Sequence, residues 1–222
     1  MSETKKQNPI TKVLSKLKAR DVAAIVGVIT FALVNIFSFA AKCADIRQEV
    51  LRLHVIANSD SEFDQSMKLA VRDAVLTAGA EVFDGSVTAA DAAEKISPQI
   101  ETLTVAAKQV IQSYGCDYPV RIQIAEEYFD TRVYETVTLP AGKYNAVKVI
   151  IGEGGGKNWW CVMFPPLCLP AAEPAQTEDD IQMVFGDGGQ KIVQSSSKYE
   201  IRFKIVELYE KIVNDISSRI NK

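Results

Sequence analysis

The chain has one histidine, His54, and four cysteines, Cys43, Cys116, Cys161 and Cys168, and these bound the chemistry open to it. A lone imidazole excludes metal sites that need two or more His ligands and acid–base schemes built on a His pair. Any Ser-His-Asp or Cys-His device has to use His54. In the alternating run Val50–Asn58 (VLRLHVIAN), His54 shares a strand face with Arg52 and Asn58, where a structural hydrogen bond is the commoner role. A hydrolase built on His54 would need Asp60 or Cys161 beside it. No C-x-x-C pair occurs, which argues against a zinc site or redox motif, and neither a metal nor a cofactor is expected. Cys161 and Cys168 lie seven apart across Pro165-Pro166. In an oxidising compartment a bridge between them would contribute about 2–3 kcal/mol through loop closure. Two buried free thiols are the alternative.

Three other patterns carry chemical meaning. The run Gly152–Lys157 (GEGGGK) ends like a phosphate loop, but Ile151 stands where the first glycine belongs and Asn158 where Ser or Thr belongs. G-x-G-x-x-G fails at Lys157, so the run reads as a turn between strands. Trp159 and Trp160 are adjacent, and neighbours on a strand face opposite sides, so one of them should reach the surface. Asp64, Lys68 and Arg72 are four apart, the spacing of helical ion pairs, with Asp73 on the same wet side.

These residues must be held by elements that the hydrophobic pattern locates. Residues 1–21 carry six Lys or Arg against Glu3 and Asp21, a net of +4; with −3 overall, the rest carries −7. An acidic body argues against general nucleic-acid binding, which relies on clustered Lys and Arg. Val22–Ala41 is twenty residues without a charge behind that basic tail, long enough to cross a bilayer with its positive flank inside. A removable signal peptide, cut near Ser38-Phe39-Ala40, and a permanent transmembrane anchor both fit. Lys42 before Cys43 spoils a lipoprotein acceptor.

Beyond it the spacing predicts a strand over Val50–Asn58, then a helix with Phe63, Met67, Ala70, Val71, Ala74, Val75 and Ala78 inward. A second helical region starts near Thr88; Ser97-Pro98 opens a new helix that stops at Gly115. YPVRIQIAEEYF, RVYETVTLP, KYNAVKVIIG and NWWCVMF follow as strands, and their short links predict antiparallel pairing. Residues 171–196 read as a loop or linker, and 197–222 as an amphipathic helix with Ile205, Leu208, Tyr209, Ile212, Val213, Ile216 and Ile220 in a stripe. The expected fold is α+β: an N-terminal signal or transmembrane helix, a strand, helices, an antiparallel sheet and a C-terminal helix, with residues 45–170 as the main domain.

Two blocks, RLHVIANSDSEFDQSMKLAVRDAVL from Arg52 to Leu76 and GEGGGKNWWCVMFPPLC from Gly152 to Cys168, resemble the signatures of the stage II sporulation protein R family. Similarity extends over residues 45–170. The resemblance implies a protein exported from the forespore to the intermembrane space, secreted or membrane-anchored with its C-terminal domain outside. Its implied partner is a membrane-bound aspartic protease of sporulation, which it triggers to process the sigma-E precursor; no enzymatic activity of its own is implied. The residues expected to meet that partner are Arg52, His54, Asn58, Asp60, Asp64, Lys68, Arg72 and Asp73, with Asn158, Trp159 and Trp160 as a second patch. An extracytoplasmic hydrolase using His54 and a structural cell-envelope protein are the competing readings.

Overall fold

The computed structural model describes residues 18–80, 88–134, 137–165, 185, 189–194 and 196–220. It divides into two units, Met1–Ala41 and Lys42–Lys222.

In the first unit the helix α1, Ala19–Gln48, begins, and it runs on across the boundary. Val28, Phe31 and Phe37 are among many apolar side chains that it exposes, and it is long and apolar enough to cross a membrane. Its polar Asn35 donates its side-chain amide to the Phe31 carbonyl at 2.8 Å, which satisfies a group that lipid could not.

The second unit is α+β. Strand β1 (Leu51–Ile56) leads into helix α2 (Glu62–Ala80), then α3 (Ala89–Ile96), a 3₁₀ turn at Ser97–Gln99 and α4 (Ile100–Ser113). Strands β2 (Val120–Phe129), β3 (Arg132–Tyr134), β4 (Val137–Leu139), β5 (Gly142–Ile151) and β6 (Asn158–Phe164) follow, and helix α5 (Ser196–Ile220) closes the described chain. Local chemistry sets the ends. The Thr88 hydroxyl accepts from Asp91 N at 3.1 Å and starts α3. After α4, Gly115 at φ 76° lets Cys116 N turn back to the Ile111 carbonyl. Pro98 opens only the 3₁₀ turn, without a side-chain cap from Ser97.

The main sheet has the order β2-β5-β1-β6 and is mixed rather than wholly antiparallel. The β2–β5 and β1–β6 pairs are antiparallel, whereas β1 and β5 are parallel. The reason lies in the link from β5 to β6: the connection is short, yet the two strands do not pair. Residues 152–157 arch over the end of β1, which inserts between them. RVYETVTLP, expected as one strand, makes the separate two-stranded hairpin β3–β4.

The odd-numbered residues of β1, Leu51, Leu53 and Val55, join Val147, Val149, Cys161 and Met163 on the face that α2 and α4 cover, packing on Met67, Val71, Leu103 and Ala107. The even-numbered residues look the other way. Helix α5 buries Phe203 and Val206, and Arg47 binds both Glu210 (2.9 Å) and the Ala141 carbonyl (3.1 Å). Within the expected loop 171–196, residues 189–194 are helical with Ile192 and Val193 buried; 171–184, 186–188 and 195 lie outside the described residues.

Candidate functional site

The expected site residues separate into three groups. The first occupies the even face of β1. Register sets Arg52 between Ala146 and Val162, and His54 between Lys148 and Trp160. Arg52, expected on a wet surface, is fully buried. Its Nε donates to the Cys161 carbonyl at 3.1 Å and its Nη2 to the Tyr134 hydroxyl at 2.7 Å, while Nη1 has no partner. The guanidinium sits 4.2 Å from the Phe129 ring centroid and 4.9 Å from that of Tyr144, so aromatic faces stand in for a carboxylate. Burial lowers its pKa.

His54 is also buried, stacked on Trp160 with ring centroids 3.7 Å apart. Its Nδ1 meets Glu127 Oε2, and its Nε2 lies 3.0 Å from Asn158 Oδ1. Lys148 binds the other oxygen of Glu127. Burial pushes the Glu127 pKa up, but hydrogen bonds from Lys148 and His54 outweigh it and hold the carboxyl below its usual range. His54 therefore partners Glu127; Asp60 lies elsewhere, and Cys161, with its side chain on the opposite face, is disulfide-bonded. Cys43 and Cys116 are free thiols, and Cys168 lies outside the described residues.

The second group is a clasp between the two blocks. Asn58 Oδ1 accepts from Glu153 N at 3.1 Å and Asp60 Oδ1 from Lys157 N at 2.7 Å, while Gly155 N and Gly156 N donate to the carbonyls of Asn58 and Ala57. A Cβ at Gly156 would stand 2.3 Å from the Ser59 carbonyl oxygen, so glycine is needed for this approach. Ser61 caps α2: its hydroxyl accepts from Asp64 N at 3.1 Å. The ion-pair ladder expected from Asp64, Lys68 and Arg72 does not form. Asp64 accepts from Ser59 Oγ (2.6 Å) and Asn58 Nδ2 (2.9 Å), and Lys68 Nζ donates to Gln65 Oε1 (2.6 Å) and the Lys157 carbonyl (3.0 Å). Burial raises the Asp64 pKa, yet those hydrogen bonds bring it below the normal value; burial lowers that of Lys68 against the pull of Asp60.

The third group is the exposed one. Trp159 lies on the helix side of β6, 37% exposed, with the Arg72 guanidinium 4.6 Å from its ring centroid. Arg72 is tied in turn to Asp73 at 2.7 Å. Asn158 is exposed at the start of the same strand. The two tryptophans thus take opposite faces, one under cover and one at the surface.

Sequence reasoning did not find Glu127, Lys148, Tyr134 or Phe129. Their signal was the alternation within β2 and β5, but joining them to His54 requires the strand order. Among the described residues no cluster of His, Cys, Asp and Glu is arranged to hold a metal.

Comparison with known proteins meets this geometry at its centre. The family model of stage II sporulation protein R (spore_II_R) matches residues 47–173, which contain both blocks and every strand. Stage II sporulation protein R of Bacillus subtilis (strain 168) is 33% identical over 124 residues, 56% of this chain and 55% of the relative. The chain thus spans little more than half the length of that curated relative. No solved structure matches.

Proposed function

Given that the chain belongs to the stage II sporulation protein R family, we propose that it is an exported signal of sporulation. It activates a membrane-bound aspartic protease, which then processes the sigma-E precursor across the intermembrane space of the septum. Val22–Ala41 carries the domain across the membrane, as a cleaved signal or a retained anchor. The domain acts as a ligand, favouring the active arrangement of the protease over the resting one, because binding both equally would shift nothing.

The observation that supports this reading best is the exposed corner of Trp159, Arg72 and Asp73 within the matched region, with Asn158 exposed at the strand end beside it and its side chain turned to His54. A tryptophan held rigidly by a cation and left over a third exposed is the kind of residue that anchors a protein partner. These four residues contact the protease, while Arg52, His54, Asn58, Asp60, Asp64, Lys68 and Trp160 hold the corner in place. Co-expression of the chain with the protease and the sigma precursor in a non-sporulating host tests it. Cleavage should require the chain; equal cleavage without it would refute the proposal.

A further inference from the structure

Among the described residues, Arg52 is a buried cation with no anion to pair with. It is fully shielded from solvent; its Nε and Nη2 donate to an uncharged carbonyl and an uncharged hydroxyl, and Nη1 has no partner. Glu127, on the same face of the sheet, is committed to His54 and Lys148. Burial lowers the Arg52 pKa, and the nearby positive charge of Arg132 lowers it further. A guanidinium nevertheless stays charged inside a protein, so a desolvated charge remains that aromatic faces compensate only in part. A methionine of similar bulk would fill the space without that cost, so packing alone does not call for arginine here.

The rings around the guanidinium are not equivalent. Phe129 and Tyr144 are buried, with centroids 4.2 and 4.9 Å away, whereas Tyr134 is half-buried and stands off at 5.6 Å. Tyr134 comes from β3, which pairs with β4 alone and carries the exposed Arg132 and Val133; β4 beneath it is buried along its length. A two-stranded ribbon is marginal by itself, so the way to Arg52 runs past Tyr134, which a hydrogen bond of 2.7 Å holds in place. With that hydroxyl turned aside, Nη1 and Nη2 present parallel donors at the end of the fork, the geometry that a carboxylate takes up bidentately. Nε keeps its bond to the Cys161 carbonyl, so β6 stays tied.

Charge and depth narrow the ligand. A carboxylate neutralises the one buried charge, whereas a phosphate dianion costs far more to desolvate. The exposed Arg132 draws an anion toward the entrance. A chain terminus would have to bring its backbone under β3, but a glutamate reaches in on an apolar stem.

We infer that Arg52 is the floor of a carboxylate-binding site gated by the Tyr134 side chain, and that its ligand is a glutamate side chain presented by a partner protein. The site is separate from the corner at Trp159 and does not depend on which protein meets that corner.

NMR of the full chain in detergent micelles, labelled with nitrogen-15 arginine, tests it. The Arg52 guanidinium signals are assigned by their loss in Arg52→Lys. The probe is the peptide acetyl-Gly-Gly-Glu-Gly-Gly-amide; its glutamine counterpart and inorganic phosphate, at the same ionic strength, are the controls. The expected result is a saturable shift of the Arg52 Nη signals with the glutamate peptide and none with the glutamine one. Tyr134→Phe, which lacks the latching hydroxyl, should bind the glutamate peptide roughly five-fold tighter than the parent. No Arg52 shift in either protein, or an equal shift with the glutamine peptide, overturns the site. Movement of the Arg132 signals alone overturns it in favour of a surface contact, and tighter binding of phosphate overturns the carboxylate. Equal affinity of Tyr134→Phe and the parent overturns the gate.

Discussion

The two faces of the main sheet solve the problem of burial by opposite means. On the helix side Leu51, Leu53 and Val55 pack against aliphatic residues of α2 and α4, and non-directional burial does the work. On the other side Arg52, His54, Glu127 and Lys148 are packed among Phe129, Tyr134, Tyr144 and Trp160, and their hydrogen bonds each depend on one partner at one angle, with Arg52 Nη1 left without one. The apolar face tolerates imprecision and carries stability. The polar face adds less net stability, because desolvation cancels much of each pairing, but it orients β6 and the corner that Trp159 occupies.

Substitution of neighbouring β1 residues tests that division most severely. Leu53→Ala should cost about 2–5 kcal/mol in chemical denaturation. Arg52→Met, similar in bulk and free of the orphan Nη1, should cost no more than about 2 kcal/mol. The reverse order would mean that the polar face carries the fold. In the clasp, Gly156→Ala should cost about 1–3 kcal/mol, because the new methyl meets the Ser59 backbone and not a pliable side chain. Gly27→Ala in α1, with open space around it, should not destabilise its helix, and comparing helicity of the two variants in detergent checks both.

Acid titration sharpens the contrast further. The Glu127 pKa is depressed in the folded state, so its contribution is present above the ordinary carboxylate value near 4.3 and is lost as pH falls through the folded value. Denaturation of Glu127→Gln across that range should show a flatter acid limb than the parent, converging with it at low pH. The smallest effect on stability belongs to the corner. Trp159→Ala should cost less than about 1 kcal/mol while sharply reducing precursor cleavage in the co-expression assay. A variant that loses stability but keeps signalling would move the contact elsewhere.

How much of this could be read from the chain depended on range. The alternation of Leu51, Leu53 and Val55 named the core face of β1, and adjacency alone separated Trp159 from Trp160. What alternation could not supply was a cover: the second face looked wet because the aromatic residues that bury Arg52 come from strands some eighty residues away. The role of Asp60 was hidden for a similar reason, its partner being a backbone amide 97 residues on. The Asp64–Lys68–Arg72 spacing was sound locally, but other partners took each member first: Asn58 and Ser59 for Asp64, Gln65 and the Lys157 carbonyl for Lys68, and Asp73 with the Trp159 ring for Arg72. Strand order escaped because a short glycine link ordinarily makes a hairpin, and here it spans an inserted strand.

That inserted strand bears on how the domain is delivered. In the export proposed above, the central strand β1 is among the first parts of the domain to be synthesised and, threaded amino-terminus first, would be among the first to emerge beyond the membrane. Its two neighbours in the sheet are β5 and β6, so neither flank exists until residues 142–164 have followed it through. Such late, long-range pairing is slow to form. On that proposed route the sheet would not close around β1 until residues 142–164 had followed it, so the chain would keep the extended state that a narrow conduit demands through the passage of the whole sheet.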